Sequence, residues 1–239
     1  MAAPERKAAP PQEAREPIEV LEELLAQRYS CRAFKPNAVP RATLERLLSA
    51  AQRTASWCNS QPWQVVITSG AETRKFRDVM VAAAISGEPE APDFPWPREY
   101  KGVYLERRRE SGFQLYNTLG IPRGDKAAYA KQALQNFELF GAPHVAIITT
   151  AEELGVYGAV DCGLYVDTFM LAAQALGLGA IAQAALARRS DVVRKHFGIG
   201  DERRVVCGIS FGFPDHEHLV NSYRTSRAKL SDAVKFVGE

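Results

Sequence analysis

Two short basic clusters at opposite ends of the chain contain the residue types that hold an anion. The first, RYSCR, places Arg28 and Arg32 on either side of Ser30, just after a predicted helix. The second, YRTSR, contains Arg224 and Arg227. Guanidinium forks and serine hydroxyls match the oxygens of a phosphate group, so the two clusters could converge on one anion. Arginines at a helix C-terminus also complement the helix dipole, and this simpler interpretation stays open for the first cluster.

A polar loop just before a strand is the second candidate site. The stretch SWCNSQPWQVVI crowds Asn59 and Gln61 between two tryptophans. A buried amide without a hydrogen-bond partner costs about 1–3 kcal/mol, so these amides must hold each other, the loop or a ligand. For Gln61, an ordinary role in loop structure is an equal alternative.

Three further motifs match known functional patterns but lack the structural context that those patterns need. GLGAIA, residues 177–182, fits a dinucleotide-binding loop but follows a predicted helix, so its glycines are expected to end that helix. GISFG, residues 208–212, fits a nucleophile elbow, but Pro214 follows where a helix should begin. HEH places His216 and His218 two residues apart with no further ligand at metal-binding spacing. We therefore predict no Rossmann loop, no serine nucleophile and no metal site.

The composition is typical of a soluble globular protein. The chain has 239 residues, of which 46% are hydrophobic and 24% charged, and its net charge of +2 indicates no nucleic-acid or anionic membrane partner. Four cysteines without CxxC spacing favour reduced thiols and a cytoplasmic location. The uncharged stretch 168–187 contains two glycines, which favours a buried core helix over a membrane span.

Hydrophobic periodicity predicts a layered α+β or α/β domain, in which helices cover both faces of a small sheet. The first 17 residues, rich in alanine, proline and charge, are expected to form a flexible arm before a domain at 18–239. Strands are expected in WQVVIT, HVAIITT and RRVVCGISFG. The main predicted helices are PIEVLEELLAQ, PRATLERLLSAAQR, AETRKFRDVMVAAAI, DKAAYAKQALQNFELFG and the apolar YGAVDCGLYVDTFMLAAQALGLG, which is expected to be buried on most sides.

The order of these blocks resembles the nitroreductase family over about residues 18–230. The matching blocks are RYSCRAFKP, NSQPW before a strand, LGLGA after a long apolar helix, GFP and the late YRTSR. The resemblance implies an α+β fold with a mixed, mainly antiparallel sheet flanked by helices, in an intertwined homodimer with flavins at its interface. It also implies FMN as the cofactor and NADPH or NADH as the electron donor.

The resemblance further implies which residues form the flavin site. The first block, which holds the phosphate, the ribityl chain and the pyrimidine edge, matches Arg28, Tyr29, Ser30 and Arg32, and the late basic pair at the phosphate matches Arg224 and Arg227. The loop that the second subunit lays along the isoalloxazine and the ribityl chain matches Ser56, Trp57 and Asn59, and Gln61 would order this loop. The turn whose backbone amides face flavin N5 and O4 matches Gln183, Ala184 and Ala185.

The implied activity is the transfer of two electrons, in ping-pong order, from NAD(P)H to nitroaromatic compounds and quinones. The chemistry belongs to the flavin, and no side-chain general base is evident. The aromatic-rich segment 86–136 suits a lid over the flavin, although plain packing is the alternative. Reductive dehalogenation, as in the deiodinase branch, and flavin binding without turnover remain alternative functions. The candidate substrate contacts in the lid are Trp96, Tyr100, Phe113 and Tyr116.

Overall fold

The chain is an α+β protein whose elements follow the predicted order. The computed structural model describes residues 15–238, so almost all of the predicted arm, residues 1–17, lies outside the described residues. The helices are α1 (Pro17–Gln27), α2 (Arg41–Ala51), α3 (Ala71–Ile85), α4 (Gly102–Thr118), α5 (Lys126–Leu134), α6 (Gly155–Ala175) and α7 (Ser190–Phe197). The strands are β1 (Gln64–Ile67), β2 (His144–Ala151), β3 (Gly179–Gln183) and β4 (Arg203–Gly212).

The four strands form one sheet in the order β1-β2-β4-β3, and each neighbouring pair is antiparallel. The three strands expected from the sequence are confirmed as β1, β2 and β4. The sequence did not indicate β3, because the segment GAIAQ is rich in glycine and alanine, which have little strand preference. Its extended conformation is stabilised by pairing with β4.

The two glycines between α6 and β3 have different roles. Gly177 has a φ of 71°, the left-handed conformation that commonly ends a helix. Gly179 lies inside β3, where a Cβ atom would come within 2.7 Å of Sγ of Cys31. The expectation that both glycines end the helix is therefore correct for Gly177 and wrong for Gly179, which instead allows a neighbouring segment to approach the strand.

The segment that follows α1 runs beside the edge strand β3. Ser30 forms a parallel bridge with Ala180, and the backbone N–H of Cys31 donates to the carbonyl oxygen of Ala180 at 3.2 Å. This bridge adds a parallel contact to an otherwise antiparallel sheet, in agreement with the expected mixed sheet. It also places the basic block RYSCR at one edge of the sheet.

Helices cover both faces of the sheet, as predicted. Successive residues of a strand point to opposite faces, so Ile147 and Ile148 of β2 enter different parts of the core. Ile148 belongs to the cluster that contains Leu47 of α2 and Phe169 of α6. Ile147 belongs to the cluster that contains Phe76 of α3, and all of these side chains are fully buried.

Helix α6 is only partly covered by its own chain. Val156, Val160 and Leu164 lie four residues apart on one stripe and are 67%, 54% and 49% exposed. The predicted burial on most sides is therefore not achieved within one chain. Residues Glu152–Ala175 are long and apolar enough to cross a membrane, by length and composition only. The uncharged stretch 168–187 is not a single helix, because α6 ends and β3 begins within it.

Candidate functional site

The two basic clusters meet in one cavity of about 350 Å³, which we call the arginine cavity. The two clusters therefore lie close together, as binding of one anion by both clusters requires. Leu25 and Ala26 of α1 and Ser111 of α4 complete the walls. The sequence did not indicate these residues, because only folding brings them to the basic clusters. The lining residues are Leu25, Ala26, Arg28, Tyr29, Ser30, Arg32, Ser111, Tyr223, Arg224, Thr225 and Arg227.

The arginine cavity has four guanidinium groups and no carboxylate in its walls. Within residues 15–238, none of these arginines forms a salt bridge. Arg32 Nη1 donates to the carbonyl oxygen of Ser30 at 3.2 Å and to the hydroxyl of Tyr223 at 3.1 Å. Arg224 Nη1 donates to the carbonyl oxygen of Asn221 at 2.9 Å. Such uncompensated positive charge in a cleft favours an anionic ligand.

Asn221 joins the N-terminal block to the C-terminal segment. Its Oδ1 accepts the backbone N–H of Arg32 at 2.8 Å, and its Nδ2 donates to the carbonyl oxygens of Ala33 at 2.9 Å and Asp215 at 2.7 Å. Because the side chain is buried and fully paired, it fixes where the Arg32 backbone lies. The sequence analysis missed Asn221, since a single asparagine outside a motif gives no signal.

Tyr29 contributes its ring to the arginine cavity. The guanidinium carbon of Arg224 lies 3.8 Å from the ring centroid, which is a cation–π contact. Within the described residues the Tyr29 hydroxyl is buried without a hydrogen-bond partner, and burial raises the pKa of this phenol to about 12. The aromatic face, and not the hydroxyl, therefore forms the contact with the basic cluster.

The loop 56–61 has a strained backbone that its own side chains hold. Cys58, Asn59 and Gln61 have φ values of 51°, 54° and 46°, in a region that costs residues with a Cβ atom about 1–2 kcal/mol each. Gln61 Nε2 donates to the carbonyl oxygen of Asn59 at 3.3 Å and to its Oδ1 at 3.1 Å. The backbone N–H of Gln61 donates to Ser56 Oγ at 2.9 Å. Gln61 therefore orders the loop that presents Asn59.

Two charged residues elsewhere in the chain attach this loop and the residue that follows it to the core. The carboxylate of Asp161, on α6, accepts the backbone N–H of Trp57 at 3.1 Å and the hydroxyl of Ser60 at 3.3 Å. Arg203, on β4, donates to the carbonyl oxygen of Pro62 at 2.8 Å. The sequence analysis did not select either residue. The signal that could have found Asp161 is its charge in a mainly apolar helix, in which Asp167 is the other charged residue, because a buried charge needs partners.

The loop 56–61 does not reach the arginine cavity of its own chain, because none of its residues lines that cavity. It lies instead beside α6, where the rings of Trp57 and Tyr157 have centroids 4.7 Å apart. Both side chains are exposed, at 62% and 59%, next to the apolar stripe on the helix. One chain therefore brings the two basic clusters together but leaves the predicted flavin loop separate from them.

The turn that follows β3, Ala184–Arg188, is buried in part. Gln183 is 2% exposed; its Oε1 accepts the hydroxyl of Ser210, and its Nε2 donates to the carbonyl oxygen of Asn136 at 2.8 Å. The side chain of Gln183 is therefore used inside the protein. Ala184 is exposed and Ala185 half-buried, so the start of the turn is accessible from the surface.

The first part of the predicted lid is tied to the rest of the fold. Trp96 Nε1 donates to the carboxylate of Glu90 at 3.1 Å, and this carboxylate also pairs with Arg188 of the turn after β3. The hydrogen bond from Arg188 holds the pKa of Glu90 below its usual value. Asp93 accepts from Arg194 at 2.9 Å, and its side chain is 5% exposed. These contacts hold the segment against the edge of the sheet.

The other three predicted substrate contacts lie on α4 or just before it. None of them lines the arginine cavity, which α4 reaches through Ser111. Each instead packs on a neighbour within the lid: Tyr116 on Tyr129 with ring centroids 4.2 Å apart, Phe113 on Arg123 at 4.4 Å, and Tyr100 on Arg108 at 5.1 Å.

The motifs dismissed in the sequence have structural roles. Ser210 is buried in β4 and donates to Gln183, so its hydroxyl is not presented as a nucleophile. His218 Nδ1 accepts the backbone N–H of Val220 at 3.2 Å. In the part of the chain that the structure describes, no group of three or more His, Cys, Asp and Glu side chains could hold a metal ion.

All four cysteines are free thiols, and three of them are buried. Burial raises the pKa of Cys31 to about 11 and the pKa values of Cys162 and Cys207 to about 12, so these thiols stay protonated near neutral pH. Cys58, in the strained loop, is exposed.

An α+β fold with an arginine cavity beside its edge strand defines a protein that can bind a phosphorylated ligand. The sequence profile described as the Nitroreductase family matches residues 25–213. The chain therefore belongs to the nitroreductase family.

This chain is similar to several named reductases over nearly their whole length. Nitroreductase NfnB of Mycolicibacterium smegmatis is 36% identical over 217 residues, which cover 90% of this chain and 92% of that protein. The 4-nitrobenzoate reductase of Pseudomonas putida is 29% identical over 215 residues, with coverage of 90% and 94%. The crystal structure of FMN-dependent NfnB from Mycobacterium smegmatis in complex with NADPH matches with a TM-score of 0.87 and 34% identity, covering 93% of this chain and 100% of that chain.

Proposed function

We propose that this chain is an FMN-dependent oxidoreductase that uses NADPH or NADH to reduce nitroaromatic compounds and quinones. The observation that carries the proposal is the arginine cavity, with four guanidinium groups and no carboxylate. A phosphate monoester presents anionic oxygens that this set of donors matches. The names of the relatives and the FMN-dependent, NADPH-bound structure support the same assignment.

Different side chains of the arginine cavity would contact different parts of FMN. Arg28, Arg224 and Arg227 would neutralise the phosphate, and Ser30 would add a hydroxyl donor. Arg32 bonds to neutral oxygens only, so its remaining N–H groups can hold the pyrimidine edge. The ring of Tyr29 would keep Arg224 above the cavity.

The turn after β3 would hold the other end of the flavin. Ala184 is four residues beyond Ala180, the bridge partner of Ser30, and this spans about 13 Å along an extended strand. A phosphate at the arginines thus leaves the backbone of Gln183, Ala184 and Ala185 for the ring system. When bound, FMN supplies two-electron transfer from a nicotinamide to a nitro or quinone substrate. The amides of the turn would stabilise negative charge at that end.

A homodimer with shared sites is part of the proposal. Contiguous exposed apolar surface marks an interface in soluble proteins, and α6 carries such a stripe at Val156, Val160 and Leu164. A two-fold partner on this stripe would also meet the neighbouring loop 56–61. In such a dimer, the loop of each chain completes the flavin site of the other through Ser56, Trp57, Asn59 and Gln61.

We also propose that residues 18–239 form a single domain after a flexible arm, and that the segment 86–136 covers the substrate. An aromatic substrate would contact the aromatic side chains of this lid. The protein would work in the cytoplasm, without a nucleic-acid or membrane partner. The lid contacts are Trp96, Tyr100, Phe113 and Tyr116.

The absorbance spectrum of the purified protein tests the proposed function. We expect flavin bands, release of FMN on denaturation, bleaching by NADPH without air and recovery of the bands when a nitroaromatic compound is added. A colourless protein that takes up no FMN on titration would contradict the proposal. Bound flavin that NADPH does not reduce would indicate a flavin-binding protein, and halide release without nitro reduction would indicate a dehalogenase.

A further inference from the structure

We infer that Asp161, on α6, is a positioning residue of the flavin site, because its carboxylate holds the loop 56–61 in the shape that presents Asn59. This inference rests on the proposed function, since it requires that the loop contacts FMN. It adds a residue that lies outside the arginine cavity and outside the sequence motifs of the family resemblance.

The carboxylate of Asp161 bridges the strained part of the loop. One oxygen accepts the backbone N–H of Trp57 at 3.1 Å, and the other accepts the hydroxyl of Ser60 at 3.3 Å. Between these two donors lie Cys58 and Asn59, with φ values of 51° and 54°. A single rigid group therefore fixes both ends of the left-handed kink.

The hydrogen bonds of Asp161 are directed at the loop and not at the core. The residue is 5% exposed, and every side-chain hydrogen bond that it makes in the described part of the chain comes from the loop. No salt bridge to a described residue compensates its charge. A buried carboxylate is costly without partners, so the two loop donors are what stabilise it.

An amide can keep both contacts at this position, whereas an apolar side chain cannot. In Asp161→Asn, the amide oxygen can accept the Trp57 N–H while the amide nitrogen donates to the Ser60 hydroxyl, because a hydroxyl also accepts. In Asp161→Ala, both loop donors lose their acceptor. The kink would then lose the constraint at each end and Asn59 would move.

The test compares FMN binding by the full-length parent, Asp161→Ala, the conservative variant Asp161→Asn and a matched control, Asp191→Ala. Asp191, on α7, is another paired aspartate, but its carboxylate accepts from Arg189 at 3.1 and 3.0 Å and not from the loop. We expect Asp161→Ala to raise the FMN dissociation constant about tenfold, equivalent to about 1.4 kcal/mol, and to change the visible circular dichroism of bound flavin at saturation. Asp161→Asn should restore most of the parent's affinity and spectrum, and Asp191→Ala should keep both.

An Asp161→Ala protein with the parent's FMN affinity and flavin circular dichroism would overturn the inference, whatever its melting temperature. Failure of the parent itself to bind FMN is a different result, which would overturn the proposed function first. If Asp161→Ala does not fold, Ser60→Ala replaces it, since this change removes one of the two hydrogen bonds without a change in charge. We expect a smaller loss of affinity, about two- to fivefold, with an altered flavin spectrum; parental values would contradict the inference.

Discussion

The guanidinium of Arg224 lies over the ring of Tyr29, with its carbon 3.8 Å from the ring centroid. This contact joins the C-terminal segment to the N-terminal basic block. An aromatic face attracts a cation without neutralising it, so the charge of Arg224 stays available to the arginine cavity. A carboxylate at the same place would instead compete with an anionic ligand.

Replacing Arg32 by Ala is expected to weaken FMN binding about 10- to 150-fold, because a charge-assisted hydrogen bond contributes about 1.5–3 kcal/mol. Titration of the apoprotein with FMN measures this loss. The control is Tyr223→Phe, which removes a hydroxyl at 3.1 Å from Arg32 Nη1 but keeps the charge, and should retain most of the affinity.

A different result is expected if Arg32 only complements the dipole of α1. In that case Arg32→Ala would cost about 0.3–1 kcal/mol of unfolding free energy and leave FMN affinity within about twofold of the parent. A thermal melt without flavin, taken beside the titration, separates the two roles. High salt should also reduce the effect on affinity if the contact is partly exposed to solvent.

Leu164→Arg is expected to separate the dimer and to weaken flavin binding, because it places a charge in the apolar stripe of α6. Sedimentation of the variant should show a monomer at concentrations at which the parent is a dimer. The control is Lys75→Glu, which changes the charge of an exposed side chain on α3, away from the apolar stripe. This control variant should remain a dimer. A stable monomer that retains flavin and activity would contradict the proposed shared site.

Trp96→Ala and Phe113→Ala are expected to change the relative rates with different nitroaromatic compounds and quinones while FMN stays bound. Both side chains belong to the predicted lid, and neither lines the arginine cavity. Point substitutions are preferable to deletion of residues 87–97, because deletion would remove the contacts of Asp93 with the core. Unchanged relative rates for every substrate would show that the segment only packs.

His144 is expected to make the protein less stable in mild acid. Its Nε2 accepts the backbone N–H of Val39 at 2.9 Å, its Nδ1 bonds to the carbonyl oxygen of Thr68 at 3.0 Å, and burial lowers its pKa from the usual 6.5. Below about pH 6.5 the unfolded chain binds a proton at this residue that the folded chain does not. The contribution of neutral His144 to the unfolding free energy is thus fully present above about pH 6.5. This contribution is lost as the pH falls towards the lowered pKa of His144 in the folded chain.

Urea unfolding of the parent and of His144→Gln between about pH 8 and about pH 5 checks this pH dependence. The variant should be less stable at the higher pH, since glutamine cannot reproduce both hydrogen bonds. The difference in unfolding free energy between the two proteins should then shrink as the pH falls. A difference that stays constant would show that His144 does not titrate in this way.

Local patterns were sufficient for much of the secondary structure and for part of the candidate site. The segment AETRKFRDVMVAAAI was predicted to be a helix and forms α3 with the same limits, because helical periodicity and helix-forming residues agree over its whole length. The two arginine clusters were recognised from residue type alone, since guanidinium groups near a hydroxyl have the same chemistry in any fold.

The sequence by itself therefore determined which side chains could bind an anion, the main helices, and three of the four strands. The tertiary structure alone decided that Arg28 and Arg224 share one cavity, that GAIAQ is a strand, and that the loop 56–61 is held by Asp161 at a distance from that cavity. Helical periodicity depends on neighbours three or four residues apart, so a short window of sequence contains it. Strand pairing and the partners of a buried charge depend on residues far apart in the chain, which meet only when the whole core packs.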